Sequence, residues 1–128
     1  MQNLKKAVIP VAGLGTRFLP MTKAQPKEML PLVDKPVIQY VVEEAARSHF
    51  EDFILITSEG KRSIENHFTK FPELESLLSD KERWEDLAQL HWIEFLGRFT
   101  FVKQPEPLGL GHAVLCAQEA VGYESFAL

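Results

Sequence analysis

Cysteine is all but missing: Cys116 stands alone among 128 residues, which excludes an internal disulfide framework and a cysteine-held zinc cluster. Nor does any stretch approach the roughly 20 consecutive apolar residues that a membrane helix requires. Acidic side chains are absent from the first 27 positions, which hold Lys5, Lys6, Arg17, Lys23 and Lys27 and so carry +5. Residues 28–128 hold the other nine basic and all eighteen acidic residues, a net of −9. One short basic segment on an acidic protein is not the broad basic face that duplex nucleic acid needs. It suits a small phosphorylated ligand better. Lys5 and Lys6 precede an apolar stretch, but 7–12 is too short for a signal-peptide core and runs into a glycine turn. No targeting segment, no membrane contact and a cytoplasmic location are therefore expected.

The remaining composition, 45% hydrophobic and 25% charged, is that of a chain folding on a core rather than a disordered one. Its length bounds it to one domain. Residues 6–12 (KAVIPVA) read as a buried strand, although Pro10 removes one ladder donor. From 13 to 36 the periodicity vanishes while glycine and proline recur. A loop that long inside a compact domain is usually functional or disordered, and its prolines stiffen this one. Asp34 is placed to cap a helix over 36–48 with an apolar stripe of Val37, Ile38, Val41, Val42 and Ala45. Residues 52–57 (DFILIT) read as a second strand, which makes a right-handed βαβ unit and a parallel sheet.

A helix with Ile64 and Phe68 inward follows, then a helix or helical hairpin over 73–90 and a third strand over 99–103. A Pro/Gly loop spans 105–111, and a helix over 112–121 turns Ala113, Val114, Ala117 and Val121 to one side. Phe126-Ala127-Leu128 reads as the start of another strand, so the α/β fold is expected to be incomplete at its C-terminus. In such open sheets, ligands bind beyond the carboxyl ends of the strands.

Gly13-Leu14-Gly15-Thr16-Arg17 follows a strand, where glycine-exposed backbone donors can cradle phosphate. The same glycines are compatible with a tight turn and no ligand. The dinucleotide fingerprint and the Walker sequence both fail, because Phe18 occupies the position where each needs glycine. Arg17, Lys23 and Lys27, with no acid among them, favour the phosphate reading. His49, His67 and His91 are scattered without metal or triad spacing and are expected in surface or packing roles. Cys116 is read as a small core residue.

The runs Gly13-Leu14-Gly15-Thr16-Arg17-Phe18-Leu19-Pro20, Thr22-Lys23 and Pro26-Lys27-Glu28-Met29-Leu30-Pro31 resemble the signature of the sugar-nucleotide pyrophosphorylases. Within that family they are most similar to the bacterial UTP–glucose-1-phosphate uridylyltransferases. Lys35-Pro36-Val37-Ile38-Gln39-Tyr40-Val41-Val42-Glu43-Glu44 is similar to the family's first helix. Gln104, with Pro107-Leu108-Gly109-Leu110-Gly111-His112-Ala113-Val114-Leu115, is similar to its base-recognition segment. The likeness is weakest over 71–99.

The resemblance implies a Rossmann-like nucleotidyltransferase fold, mainly parallel with helices on both faces, of which 1–128 is the N-terminal nucleotide-binding portion. It implies UTP and glucose-1-phosphate as substrates, UDP-glucose and pyrophosphate as products, Mg2+ as cofactor and, as commonly in the family, a homo-oligomer. Arg17 and Lys27 take the catalytic positions, Arg17 against the triphosphate and Lys27 near the α-phosphate and sugar phosphate. Ala12, Gly13, Leu14, Gly15, Gln104 and Gly109 take nucleotide-binding positions, with Gln104 reading uracil through an amide that can both donate and accept. Glu28 is expected to partner Lys27 or to be a rim acid, and His112 to support the site from behind. The family's magnesium-binding aspartates lie beyond the positions present, so no metal ligand is expected within this chain, and its activity alone is left open. A dTTP-using relative would more often show Gln in place of Glu28 and Ala-Gln in place of Gly111-His112. A non-catalytic nucleotide-binding relative or an inactive remnant is the alternative from a different class.

Overall fold

The computed structural model describes residues 4–128. Four strands form one sheet in the order β5-β4-β1-β6, from β1 (Lys6–Pro10), β4 (Asp52–Thr57), β5 (Arg98–Lys103) and β6 (Phe126–Ala127). Every pairing in it is parallel. A short antiparallel hairpin, β2 (Pro31–Leu32) and β3 (Lys35–Pro36), stands apart from it. The helices are α1 (Val37–Arg47), α2 (Arg62–Phe68), α3 (Pro72–Asp80), α4 (Trp84–Phe95), α5 (Leu110–Cys116) and α6 (Gln118–Val121).

The unbroken apolar runs of β1 and β4 follow from burial on both faces. Alternate side chains feed two cores. Ala7, Phe53 and Leu55 face Ile38 and Val42 of α1, Ile64 and Phe68 of α2, and Ile93 of α4. Val8, Ile54 and Ile56 face Ala113, Ala117 and Val121 on the other side. Helices on both faces of a parallel sheet are thus what the alternation produces, in agreement with the fold class read from the sequence.

Several local expectations are corrected. Asp34 does not cap α1: Pro36 holds that position, with no side-chain cap bond. Asp34 falls in the β2–β3 turn, too early in the chain to reach the helix. The inward face of α1 is Ile38, Gln39, Val42 and Glu43, while Val37 and Val41 are 40% and 44% exposed. Gln39 and Glu43 are tolerated inside because both are satisfied. His67 Nε2 lies 2.8 Å from Gln39 Oε1, and Glu43 accepts from Trp92 Nε1 at 2.9 Å and from Lys35 Nζ at 3.3 Å. The long loop over 13–36 contains 3-10 turns at Thr16–Phe18 and Lys27–Met29 as well as β2. The last helix begins at Leu110 and breaks at Ala117.

Gly97, which drew no notice in the sequence, is fixed by packing. A Cβ there would lie 2.5 Å from the Phe53 ring and 2.6 Å from the Glu51 carbonyl oxygen. Gly97→Ala is expected to cost about 1–3 kcal/mol through overpacking, read as a lower urea midpoint with an unchanged slope.

Candidate active site

The strands deliver the site by ending together. Beyond β1, the Val11 amide donates to Ile56 O at 2.8 Å, and beyond β5 the Gln104 amide donates to Thr57 O at 2.7 Å. Both bonds carry the parallel ladder past the strands and fix where the following loops depart. Ser58 Oγ, just after β4, donates to Ala12 O at 3.1 Å. Between these carboxyl ends and the start of α5 lies a cleft of about 280 Å3, lined by Pro10, Ala12, Gly13, Gln104, Pro107, Gly109, Leu110 and Ala113. Four of the six expected nucleotide contacts, Ala12, Gly13, Gln104 and Gly109, therefore converge on one place. The position agrees with the rule for open parallel sheets.

Gln104 is buried, and its side chain is committed on one side. Its amide nitrogen donates to Gly109 O at 3.2 Å and lies 2.9 Å from His112 Nδ1. With both donors spent, the amide carbonyl oxygen remains as an acceptor. A base carrying an N–H on its pairing edge, as uracil does at N3, matches it. His112 thus stands behind Gln104. Gly109 sits at φ 93°, in the left-handed half of the backbone map that favours glycine. His112→Ala is expected to free the Gln104 amide and lower uridine-nucleotide affinity by about fivefold to tenfold, the worth of one buried hydrogen bond, while leaving phosphate affinity unchanged; calorimetry with UTP and with inorganic pyrophosphate separates the two.

Leu14, Gly15, Arg17 and Lys27 do not line the cleft but occupy the loop that leaves it. Leu14 is 72% exposed. Gly15 adopts φ 65° and opens the turn that carries Arg17, and Thr22 Oγ1 donates to Gly15 O at 2.7 Å. A Cβ on Gly15 would stand 3.3 Å from Lys27 Cβ, so the stem of Lys27 lies close to the glycine loop. Arg17 and Lys27 are exposed, and neither takes part in an ion pair among the described residues. Glu28 departs from expectation. Its carboxylate meets Lys61 Nζ at 2.7 Å rather than Lys27, because the Lys27–Met29 turn packs on the start of α2.

A wider depression of about 650 Å3 lies beside the cleft, lined by Ser58, Glu59, Gly60, Arg62, Glu65, Asn66, Thr69 and Lys103. Glu59 and Glu65 offset Arg62 and Lys103 there, so its lining carries no net positive charge for a polyanion. The described lining of the cleft itself carries no carboxylate, so it offers Mg2+ no anionic oxygen ligand.

Groups with displaced titration lie away from the cleft. Burial holds the His67 imidazole below its ordinary range, so it stays neutral and its contribution to stability is lost as pH falls through the imidazole range. A hydrogen bond to Asp52 holds the Arg98 guanidinium above its usual range. Glu94 is raised first by a hydrogen bond to Glu75, then by burial and by the Glu75 charge. His91, expected in a surface or packing role, joins these two acids with ligand atoms within 4.8 Å of one another. Glu75 Oε1 in that group is buried without a hydrogen-bond partner among the described residues, and Lys70 Nζ lies 3.9 Å from Glu75 Oε2. This group sets the Glu75 and Glu94 carboxyls beside the Lys70 ammonium and the His91 ring. Cys116 is half-buried beside the α5 core.

No described helix is long and apolar enough to cross a membrane. The sequence signature of the family described as nucleotidyl transferase matches residues 6–128. The chain is 58% identical over 127 residues to the UTP–glucose-1-phosphate uridylyltransferase YngB of Bacillus subtilis (strain 168), covering 99% of this chain and 43% of that protein. A UTP-bound UGPase from Acinetobacter baumannii superposes with a TM-score of 0.92 at 52% identity, covering 97% of this chain and 44% of that one. A UDP-glucose pyrophosphorylase complexed with UDP-glucose gives 0.77 at 42%, again covering 97% and 44%. The chain therefore spans less than half the length of the proteins it matches.

Proposed function

Since the chain belongs to the nucleotidyl transferase family, we propose that residues 1–128 are the nucleotide-binding portion of a longer UTP–glucose-1-phosphate uridylyltransferase and that the cleft takes UTP. The observation that carries this reading is the meeting of Ala12, Gly13, Gln104 and Gly109 in one cleft, next to a loop whose cations Arg17 and Lys27 have no acidic partner among the described residues. The relatives named for UTP and UDP-glucose support it.

In the proposed reaction a phosphate oxygen of glucose-1-phosphate forms a bond to the α-phosphorus of UTP. The bond from that phosphorus to the bridging oxygen of the β-phosphate breaks, and pyrophosphate leaves with the electron pair. Transfers of this kind depend on positioning and charge stabilisation, with no protein nucleophile required. Gln104 orients the base through its free carbonyl oxygen, and the open backbone of Ala12 and Gly13 lets the nucleotide approach β1 closely. Leu14 and Gly15 carry that backbone into the cationic loop. Arg17, a planar and permanently charged fork, binds the departing pyrophosphate end. Lys27 supplies a point charge at the α-phosphate, where it also attracts the sugar phosphate. Nucleotidyl transferases generally use a divalent metal, and Mg2+ is the ion proposed; the described cleft lining offers it no carboxylate. The single cysteine and a reaction on small phosphorylated metabolites suit the cytoplasm.

Calorimetry of the chain with UTP, dTTP and ATP tests the reading. It predicts saturable UTP binding, stronger than that of dTTP and far stronger than that of ATP. Equal affinity for all three would remove the base-reading role of Gln104, and tighter binding of dTTP would favour a thymidylyltransferase instead.

A further inference from the structure

Lys61 has no part in the proposed reaction, yet it is only 6% exposed. It stands at the start of α2, and its ammonium meets Glu28 Oε1 at 2.7 Å across 33 positions of sequence. The Glu28 side chain is 13% exposed, so the pair is largely withdrawn from water. Pairs of this kind are a poor source of stability, because desolvation offsets most of their attraction and an apolar pair of similar volume often does as well. Their better-attested use is to fix an arrangement.

What this pair fixes is the 3-10 turn Lys27–Met29. Glu28 is the middle residue of that turn, and its neighbour Met29 packs against the core. On the other side the Lys27 stem lies close to Gly15. Glu28 is also the acid nearest in sequence to Lys27. With Lys61 removed, its carboxylate would be a ready counter-ion for Lys27 and for any cation the loop presents to a phosphate. Building on the reading of the cleft as a UTP site, we propose that Lys61 is a positioning residue: by holding Glu28 it orients the Lys27 turn and keeps the Lys27 charge free for the nucleotide.

UTP titrations of the folded chain test this, with circular dichroism at the same temperature confirming the fold. Lys61→Met should lower UTP affinity about tenfold or more, as expected when a phosphate-binding charge is misplaced and partly neutralised. Lys61→Arg, which keeps a cation within reach of Glu28, should bind within about threefold of the parent chain. The double variant Lys61→Met/Glu28→Gln, lacking both charges, should fall between the two. A merely structural lysine would lower Tm in the first variant and leave affinity within twofold of the parent, which would overturn the proposal. If Lys61→Met does not fold, the double variant decides: a loss of about fivefold supports the role, and parental affinity refutes it. Failure of the parent chain itself to bind UTP would instead remove the underlying reading, a different result from equal binding by parent and variant.

Discussion

Arg17→Ala is expected to weaken UTP binding by about tenfold to hundredfold at low salt, the worth of one charged hydrogen bond or two to a phosphate. Arg17 sits on an exposed turn without an acidic partner among the described residues, so nothing in the fold depends on its guanidinium, and Tm should hold. Its attraction for the triphosphate crosses solvent and is screened with a length of about 10 Å at 0.1 M salt. Parent affinity should therefore fall as salt rises, and the variant's should fall less steeply, the two converging at high ionic strength. Calorimetric titrations at three salt concentrations give both numbers. Unchanged affinity at low salt would show that Arg17 does not reach the phosphates.

The second large effect is on stability. Phe53 is wholly buried, with its ring 5.3 Å from that of Phe99, which in turn stacks on Phe68 at 4.5 Å. The stack joins β4, β5 and α2 on the face opposite α5, and Gly97 closes one side of it. Phe53→Ala should cost about 3–5 kcal/mol, the usual range for a buried aromatic truncation, and lower Tm by roughly 10–20 °C. Phe53 is level with Ala7 on β1, the strand that runs into the glycine loop, yet it does not touch the cleft. UTP affinity of the folded fraction should therefore match the parent. A loss under about 1 kcal/mol would mean that the stack contributes no more than an ordinary surface contact.

These two residues mark what the sequence makes legible and what it does not. The strands β1 and β4 announce themselves because burial on both faces demands unbroken apolar runs, and the edge strand β5 does so through its aromatic and β-branched residues. The glycine loop is legible because a strand ending in glycines amid unpaired cations has few other uses. The inward face of α1 is misread from Val37 and Val41, since Gln39 and Glu43 turn inward because His67 and Trp92, distant in sequence, and Lys35 just before the helix satisfy them. Asp34 reads as a cap by its residue type, while the β2–β3 turn that claims it depends on pairing over two residues, too short for periodicity to reveal. The partner of Glu28 is hidden for the same reason, as no local pattern links it to Lys61. Gly97 matters only through the ring of Phe53 and the Glu51 carbonyl, contacts that form when β4 and β5 pair. Local chemistry thus gives the elements and most of the cleft, while long-range partners decide which polar groups are fixed and which stay free.

A crystal structure of the chain soaked with UTP tests the central claim most directly. The expected density places the uracil N3–H at hydrogen-bond distance from the Gln104 carbonyl oxygen, and the phosphates along the glycine loop within reach of Arg17 and Lys27. A nucleotide seated in the wider depression beside Glu59 and Glu65, or with its phosphates turned away from both cations, would contradict it.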